Sequence, residues 1–269
     1  MRACALVPAF DAEATVGDVV SDLVRAWPER DGVLVVDDGS NDHTARVARR
    51  AGAWVVSHPG NRGKGAALRT GFREAFERGF DVAVTVDADG QHPPAEAVRL
   101  LTIDADPRAM VLGVRDLVAA GAPRKNQISN GISNFFLSLF ARRGFADTQC
   151  GLRRYPLAST LGLDGRDDGY AFEAEIILRA VAGRVPIVET PIQVLYPPEG
   201  ERITHFDGVR DPARIVSRVV KTLILTRGLL RSPSGARTAF VAGSAASPGV
   251  ARPAFRKGES ASRPPASAP

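Results

Sequence analysis

Val82-Ala83-Val84-Thr85-Val86-Asp87-Ala88-Asp89-Gly90 runs from five apolar or β-branched residues straight into two carboxylates. A short apolar run that ends in a turn signal reads as a strand buried on both faces, as strands in parallel sheets are. Gly32-Val33-Leu34-Val35-Val36 leads into Asp37-Asp38-Gly39-Ser40 in the same way. Working outward, residues 3–7 and 53–56 make two more short strands, and 109–114 another. Between them, apolar residues recur at helical spacing, as in Val16, Val19, Val20, Leu23 and Val24. Helices are expected from about Asp42-His43-Thr44, over 66–78 and over 94–102. Strand and helix alternate through this half, which predicts an α/β fold, a mostly parallel sheet with helices on both faces.

Ligands of an open parallel sheet sit beyond the carboxyl ends of its strands. Asp37, Asp38, Asp87 and Asp89 should therefore converge on one edge. Four carboxylates together repel unless a cation lies among them. Hard oxygen ligands suit Mg²⁺ or Mn²⁺ shared with a diphosphate. Each motif taken alone has a plainer reading, since Asp-Gly pairs make turns and Asp caps helices. The loop Asn61-Arg62-Gly63-Lys64-Gly65 precedes a helix, whose N-terminus attracts anions, and its glycines allow close approach to a phosphate. It is not a Walker loop, because GxxxxGK[ST] is missing.

The formal charge of +5 and pI near 9.7 suit phosphates, nucleic acid or an anionic membrane surface. Only 6% of residues are aromatic and none interleaves with a basic run, which argues against nucleic acid, as does the lack of a recognised binding module. Cys4 and Cys150 form no CxxC pair, so a zinc site is not expected and the chain reads as one for a reducing compartment. No signal peptide is read at the start, and no run of about 18 uncharged apolar residues is found. His43, His58, His92 and His205 share no spacing and read as surface or capping residues.

The second half is less regular. Helices are expected over 127–142, 172–182 and 212–230, with a turn at Asp147-Thr148-Gln149-Cys150-Gly151 and a strand region at 187–196. In the last helix Arg214, Arg218 and Lys221 share one face beside Ile215, Val219 and Leu223, the pattern of a helix lying on an anionic membrane or one packed with a basic side in solvent. Thr204-His205-Phe206, with Arg202 and Arg210, reads either as a loop that closes over a donor or as a plain exposed loop. Residues 232–269 are poor in apolar periodicity and read as a disordered tail. The expected globular domain is 1–231, split into a donor half at 1–115 and an acceptor half at 116–231. Nothing in the sequence sets an oligomeric state.

Val7-Pro8-Ala9-Phe10, Val36-Asp37-Asp38-Gly39-Ser40, Arg62-Gly63-Lys64-Gly65-Ala66 and Asp87-Ala88-Asp89-Gly90-Gln91-His92-Pro93 stand in the order of glycosyltransferase family 2, which the chain resembles. Further on, Asp147-Thr148-Gln149-Cys150-Gly151 and Tyr170-Ala171-Phe172-Glu173-Ala174-Glu175 resemble its polyprenyl-phosphate sugar transferases, the dolichyl-phosphate β-glucosyltransferase and dolichol-phosphate mannose synthase branch. The resemblance implies a GT-A fold, a nucleotide-diphosphate sugar, a divalent metal and inversion at the anomeric carbon. By position it puts Pro8, Phe10 and Glu13 around base and ribose, with Asp37 and Asp38 contacting them. Lys64 lies near the nucleotide. Asp87, Ala88 and Asp89 form the DxD segment at metal and diphosphate, with Gln91 beside it. Arg115 matches a residue near an acceptor phosphate, with Arg124 and Ser129 as further matches. The family's Tyr-Asn-Glu is here Phe10-Asp11-Ala12-Glu13, with one residue added and the hydroxyl lost.

These residues predict a transferase moving a hexose, of the UDP-glucose or GDP-mannose class, to a polyprenyl phosphate at the cytoplasmic membrane face. A lipid phosphate is already anionic and needs little help from a base. A saccharide hydroxyl, the runner-up acceptor, needs a base within hydrogen-bond reach, for which Asp147, Glu173 and Glu175 are the candidates beside Asp89. A non-catalytic nucleotide-sugar binder is the third reading.

Overall fold

The structure, a computed structural model, describes residues 1–103 and 105–195 and the backbone of 239–240. The strands are β1 (Ala3–Ala9), β2 (Val33–Asp37), β3 (Trp54–Ser57), β4 (Val82–Thr85), β5 (Met110–Arg115), β6 (Arg153–Pro156), β7 (Ile187–Ile192) and β8 (Ala239–Phe240). The helices are α1 (Val16–Ala26), α2 (Thr44–Arg50), α3 (Lys64–Glu77), α4 (Pro94–Thr102), α5 (Arg124–Ala141), α6 (Leu157–Gly162) and α7 (Phe172–Ala182). They build one sheet in the order β3-β2-β1-β4-β6-β5-β7-β8.

The fold is α/β and the sheet mostly parallel, as expected. Strand β6 runs antiparallel to both β4 and β5. It was not read from sequence, because Arg-Arg-Tyr-Pro carries no apolar run. Strand β8 pairs with β7 inside the stretch read as disordered tail. The helix expected at 212–230 and the loop around His205 lie outside the described residues.

Side chains alternate across the sheet. Leu34 and Val36 join Leu6, Phe72, Phe172 and Leu137 in the core under α3, α5 and α7. Val33 and Val35 join Val7, Val20, Leu23 and Leu100 under α1 and α4. Burial on both faces explains why the strands read as continuous apolar runs. Strand order reverses at β1, which pairs with β2 on one side and β4 on the other. That switch point is where such sheets hold ligands, and both Asp motifs flank it.

Candidate active site

Beyond β4, Asp87 accepts from the Lys64 ammonium at 2.7 Å, and Lys64 also reaches Glu173 at 3.3 Å. Lys64 is the first residue of α3, Glu173 the second of α7. Burial raises the Asp87 carboxyl, but Lys64, His92 and Arg115 outweigh it and hold it at about 2. Burial lowers Lys64, and Asp87 and Glu173 more than reverse that, so it stays charged. Asp89 is pushed up to about 6 by burial and then by Asp87's charge. Its Oδ1 accepts from the Gln91 backbone N–H at 3.0 Å.

The DTQCG segment packs against this pair. A Cβ on Gly151 would collide with the Asp87 carboxylate, so only glycine lets the turn approach so closely. Its Asp147 is fully buried and takes Arg115 in a fork: Nε donates at 2.7 Å and Nη2 at 3.0 Å. The N–H groups of Gln149 and Cys150 donate to it as well. Ser129 joins this cluster through the Gln149 side chain, 3.4 Å away, while Arg124 is exposed at the start of α5.

Several expectations change. The four strand-end carboxylates divide into two pairs with different partners. Asp38 turns away to the N–H groups of Arg62 and Gly63 and to His58, while Asp37 accepts from the Ser40 N–H. Glu13 is exposed and accepts from the His43 N–H rather than pointing toward a base pocket. The residue added after Phe10 is absorbed as a left-handed Asp11, φ 46°, whose carboxylate accepts from the Asn41 N–H. Pro8 and Phe10 are half-buried at the end of β1. Ala88 is buried, and its carbonyl accepts from the Thr15 hydroxyl. Asp147 and Glu175, offered as bases, are internal. Glu175 holds the N–H groups of Arg166 and Asp167 and the Arg179 guanidinium. His58 and His92 are buried, not surface residues. Burial drives His92 down to about 4.

Sequence reading did not place His58, His92 or Gly151 at the site. His58 carried a usable signal, because it directly follows β3 at the same sheet edge as Asp38. Arg153 carried none. It is fully buried, donating to the carbonyls of Thr148, Cys150 and Glu173, and so ties the DTQCG turn to α7.

Among the described residues no group of three His, Cys, Asp or Glu side chains could hold a metal by itself. Asp87 and Asp89 are two hard oxygen donors, and their mutual repulsion has raised one of them. That donor set fits Mg²⁺ or Mn²⁺ taking its remaining ligands from diphosphate oxygens. Two buried polar atoms lack partners beside it, Glu173 Oε1 and His92 Nδ1.

The acidic pair thus lies at the switch point beside a lysine at a helix N-terminus, a place suited to phosphate groups. A family model for glycosyl transferase family 2 matches residues 4–157, and the chain belongs to that family. It is a glycosyltransferase with a GT-A fold. The polyprenol monophosphomannose synthase of Mycolicibacterium smegmatis is 30% identical over 209 residues, spanning 71% of this chain and 76% of that one. The UDP-N-acetylglucosamine–dolichyl-phosphate N-acetylglucosaminyltransferase of Methanococcus voltae is 28% identical over 214 residues, spanning 71% and 84%. The glucosyl-3-phosphoglycerate synthase of Mycobacterium tuberculosis, solved with Mn²⁺, UDP and phosphoglyceric acid, shares the fold, with a TM-score of 0.65 at 21% identity over 87% of this chain and 80% of that one.

Proposed function

We propose that the protein is an inverting transferase that moves a hexose from a nucleotide-diphosphate sugar, of the UDP-glucose or GDP-mannose class, to a polyprenyl phosphate at the cytoplasmic face of a membrane. Relatives are named for polyprenol, undecaprenyl and dolichyl phosphate acceptors. One observation carries the lipid acceptor. Helix α5 carries two apolar stripes. It buries Leu137 and Ala141 together with Ser129, Asn130 and Ser133, and it exposes a second stripe, Ile128, Ile132, Phe135 and Leu139, spaced i, i+4, i+7 and i+11 on one face. Arg124, Lys125 and Arg142 are exposed at its ends. An apolar stripe with basic ends suits an anionic lipid surface. No helix among the described residues is long and apolar enough to cross a membrane.

Asp87 and Asp89 would hold the divalent cation, which neutralises the diphosphate as it departs. Lys64 offers a second positive charge from the N-terminus of α3. Asp147 fixes the plane and direction of Arg115, whose guanidinium matches a phosphate group. A phosphate monoester attacks without a base, and this agrees with Asp147 and Glu175 being bound up in internal contacts. A saccharide hydroxyl has no such base in these two residues, and Glu173, with Oε1 unpartnered beside Lys64, is its one remaining candidate.

The test is nucleotide release from UDP- and GDP-sugars with Mn²⁺ or Mg²⁺, with and without polyprenyl phosphate. Release stimulated by the lipid is expected. A protein that ignores polyprenyl phosphate and glycosylates a soluble saccharide would overturn the lipid reading.

A further inference from the structure

The Asp38 carboxylate is engaged through both oxygens. Oδ1 lies 2.6 Å from His58 Nδ1 and 3.0 Å from the Arg62 N–H. Oδ2 accepts from the Gly63 N–H at 2.7 Å. A carboxylate can only accept, so His58 Nδ1–H is the donor. The far nitrogen of His58, Nε2, lies 2.9 Å from the Thr70 hydroxyl on α3. The pair is buried, with 5% and 4% of the two side chains exposed.

What the pair holds is the turn that presents Lys64. Gly63 sits at φ 96° as the N-cap of α3, and a Cβ there would strike the Asp168 carbonyl. The Ala66 N–H donates to that same carbonyl at 3.1 Å. The turn is clamped from one side by Asp38 and from the other by the 167–169 loop. Lys64 leaves it aimed at Asp87.

We infer that His58 is a positioning residue for the donor site, locking the Asp38 carboxylate onto the Arg62 and Gly63 N–H groups so that Lys64 meets the donor diphosphate. The inference rests on the proposed donor site. Without His58, Oδ1 keeps one partner, the carboxylate can rotate, and the turn loosens. Lys64 and the helix N-terminus would be misplaced by a fraction of an ångström, which weakens donor binding more than turnover of bound donor.

The test compares His58→Asn, whose amide can take the place of Nδ1–H, with His58→Gln, whose amide reaches toward the Nε2 position instead, and with His58→Ala. Thr70→Val probes the far contact. Initial rates are measured against UDP-glucose or GDP-mannose, whichever the wild type turns over faster, beside UDP and GDP affinity with Mn²⁺ by calorimetry. His58→Ala should raise donor KM about tenfold and change kcat by less than about threefold. His58→Asn should restore most of the loss and His58→Gln little of it, with Thr70→Val in between. Equal behaviour of Asn and Gln overturns the inference, as does a lower melting temperature with donor KM unchanged. If His58→Ala does not fold, the Asn–Gln contrast decides. A wild type that binds neither nucleotide removes the donor-site reading itself, and is told apart because no variant is needed to see it.

Discussion

The carboxylates of the two halves meet opposite fates. In the first half, Asp89 follows β4 with a backbone N–H from Gln91 and a like-charged neighbour, and burial and that neighbour raise its carboxyl to about 6. In the second half, Asp147 is fully buried yet takes a guanidinium fork and three backbone N–H groups. The difference teaches that burial alone does not mark a reactive acid. What marks it is burial without compensation. Asp89 is held in a state it disfavours, which is the signature of a site waiting for positive charge. Asp147 is content where it is and works through Arg115.

The largest effect should come from Asp89→Asn. Donor turnover is expected to fall at least about a thousandfold, or roughly 4 kcal/mol, and EDTA should do the same to the wild type. Stability should move the other way. A carboxyl whose folded pKa lies above its unfolded value of 3.8 destabilises the protein increasingly as pH rises through that window. At pH 7.5 the variant should therefore be more stable by about 1–2 kcal/mol, and the gain should vanish near pH 4. Equal melting temperatures for the two proteins at pH 7.5 would show that Asp89 is not strained.

Next in size is Arg115→Ala. It leaves Asp147 buried beside no guanidinium, which costs about 3 kcal/mol of folding stability. Arg115→Lys should recover part of this, because an ammonium restores the charge but not the fork. Urea unfolding measures both. If Arg115→Ala unfolds at the wild-type midpoint yet loses transfer, Arg115 serves the acceptor alone and Asp147 is not its anchor.

The donor half was legible because its chemistry sits at the ends of apolar strands, where strand, turn and carboxylate are contiguous. Sequence placed Asp87 and Asp89 at the edge for that reason. It also put Asp38 there, but could not tell that Asp38 faces Arg62 and Gly63, since that depends on a loop 24 residues away. In the second half the decisive contacts do not follow a strand end. Arg115 and Asp147 are 32 residues apart, and Glu175 takes its backbone partners from a loop before its own helix. Strand β6 was invisible because Arg153 and Arg154 are buried by specific carbonyl partners rather than by apolar character. Helix α5 shows a further limit. Helical spacing cannot say which of two apolar stripes meets the core, and here Leu137 and Ala141 do while Phe135 and Leu139 do not.

That exposed stripe gives the smallest and most discriminating prediction. Phe135 and Leu139 are 63% and 58% exposed, so replacing both by Ser removes little from the core and the melting temperature should hold. If the stripe meets lipid, the same pair contributes apolar area that becomes buried only at the membrane. Loss of about 2 kcal/mol of that burial should weaken binding to phosphatidylglycerol vesicles roughly thirtyfold. A change in oligomeric state instead, with vesicle binding intact, would assign the face to a second copy of the chain. A fall of several degrees in melting temperature would show that the stripe is covered by protein, and the acceptor half would then resemble the donor half in hiding its apolar surface after all.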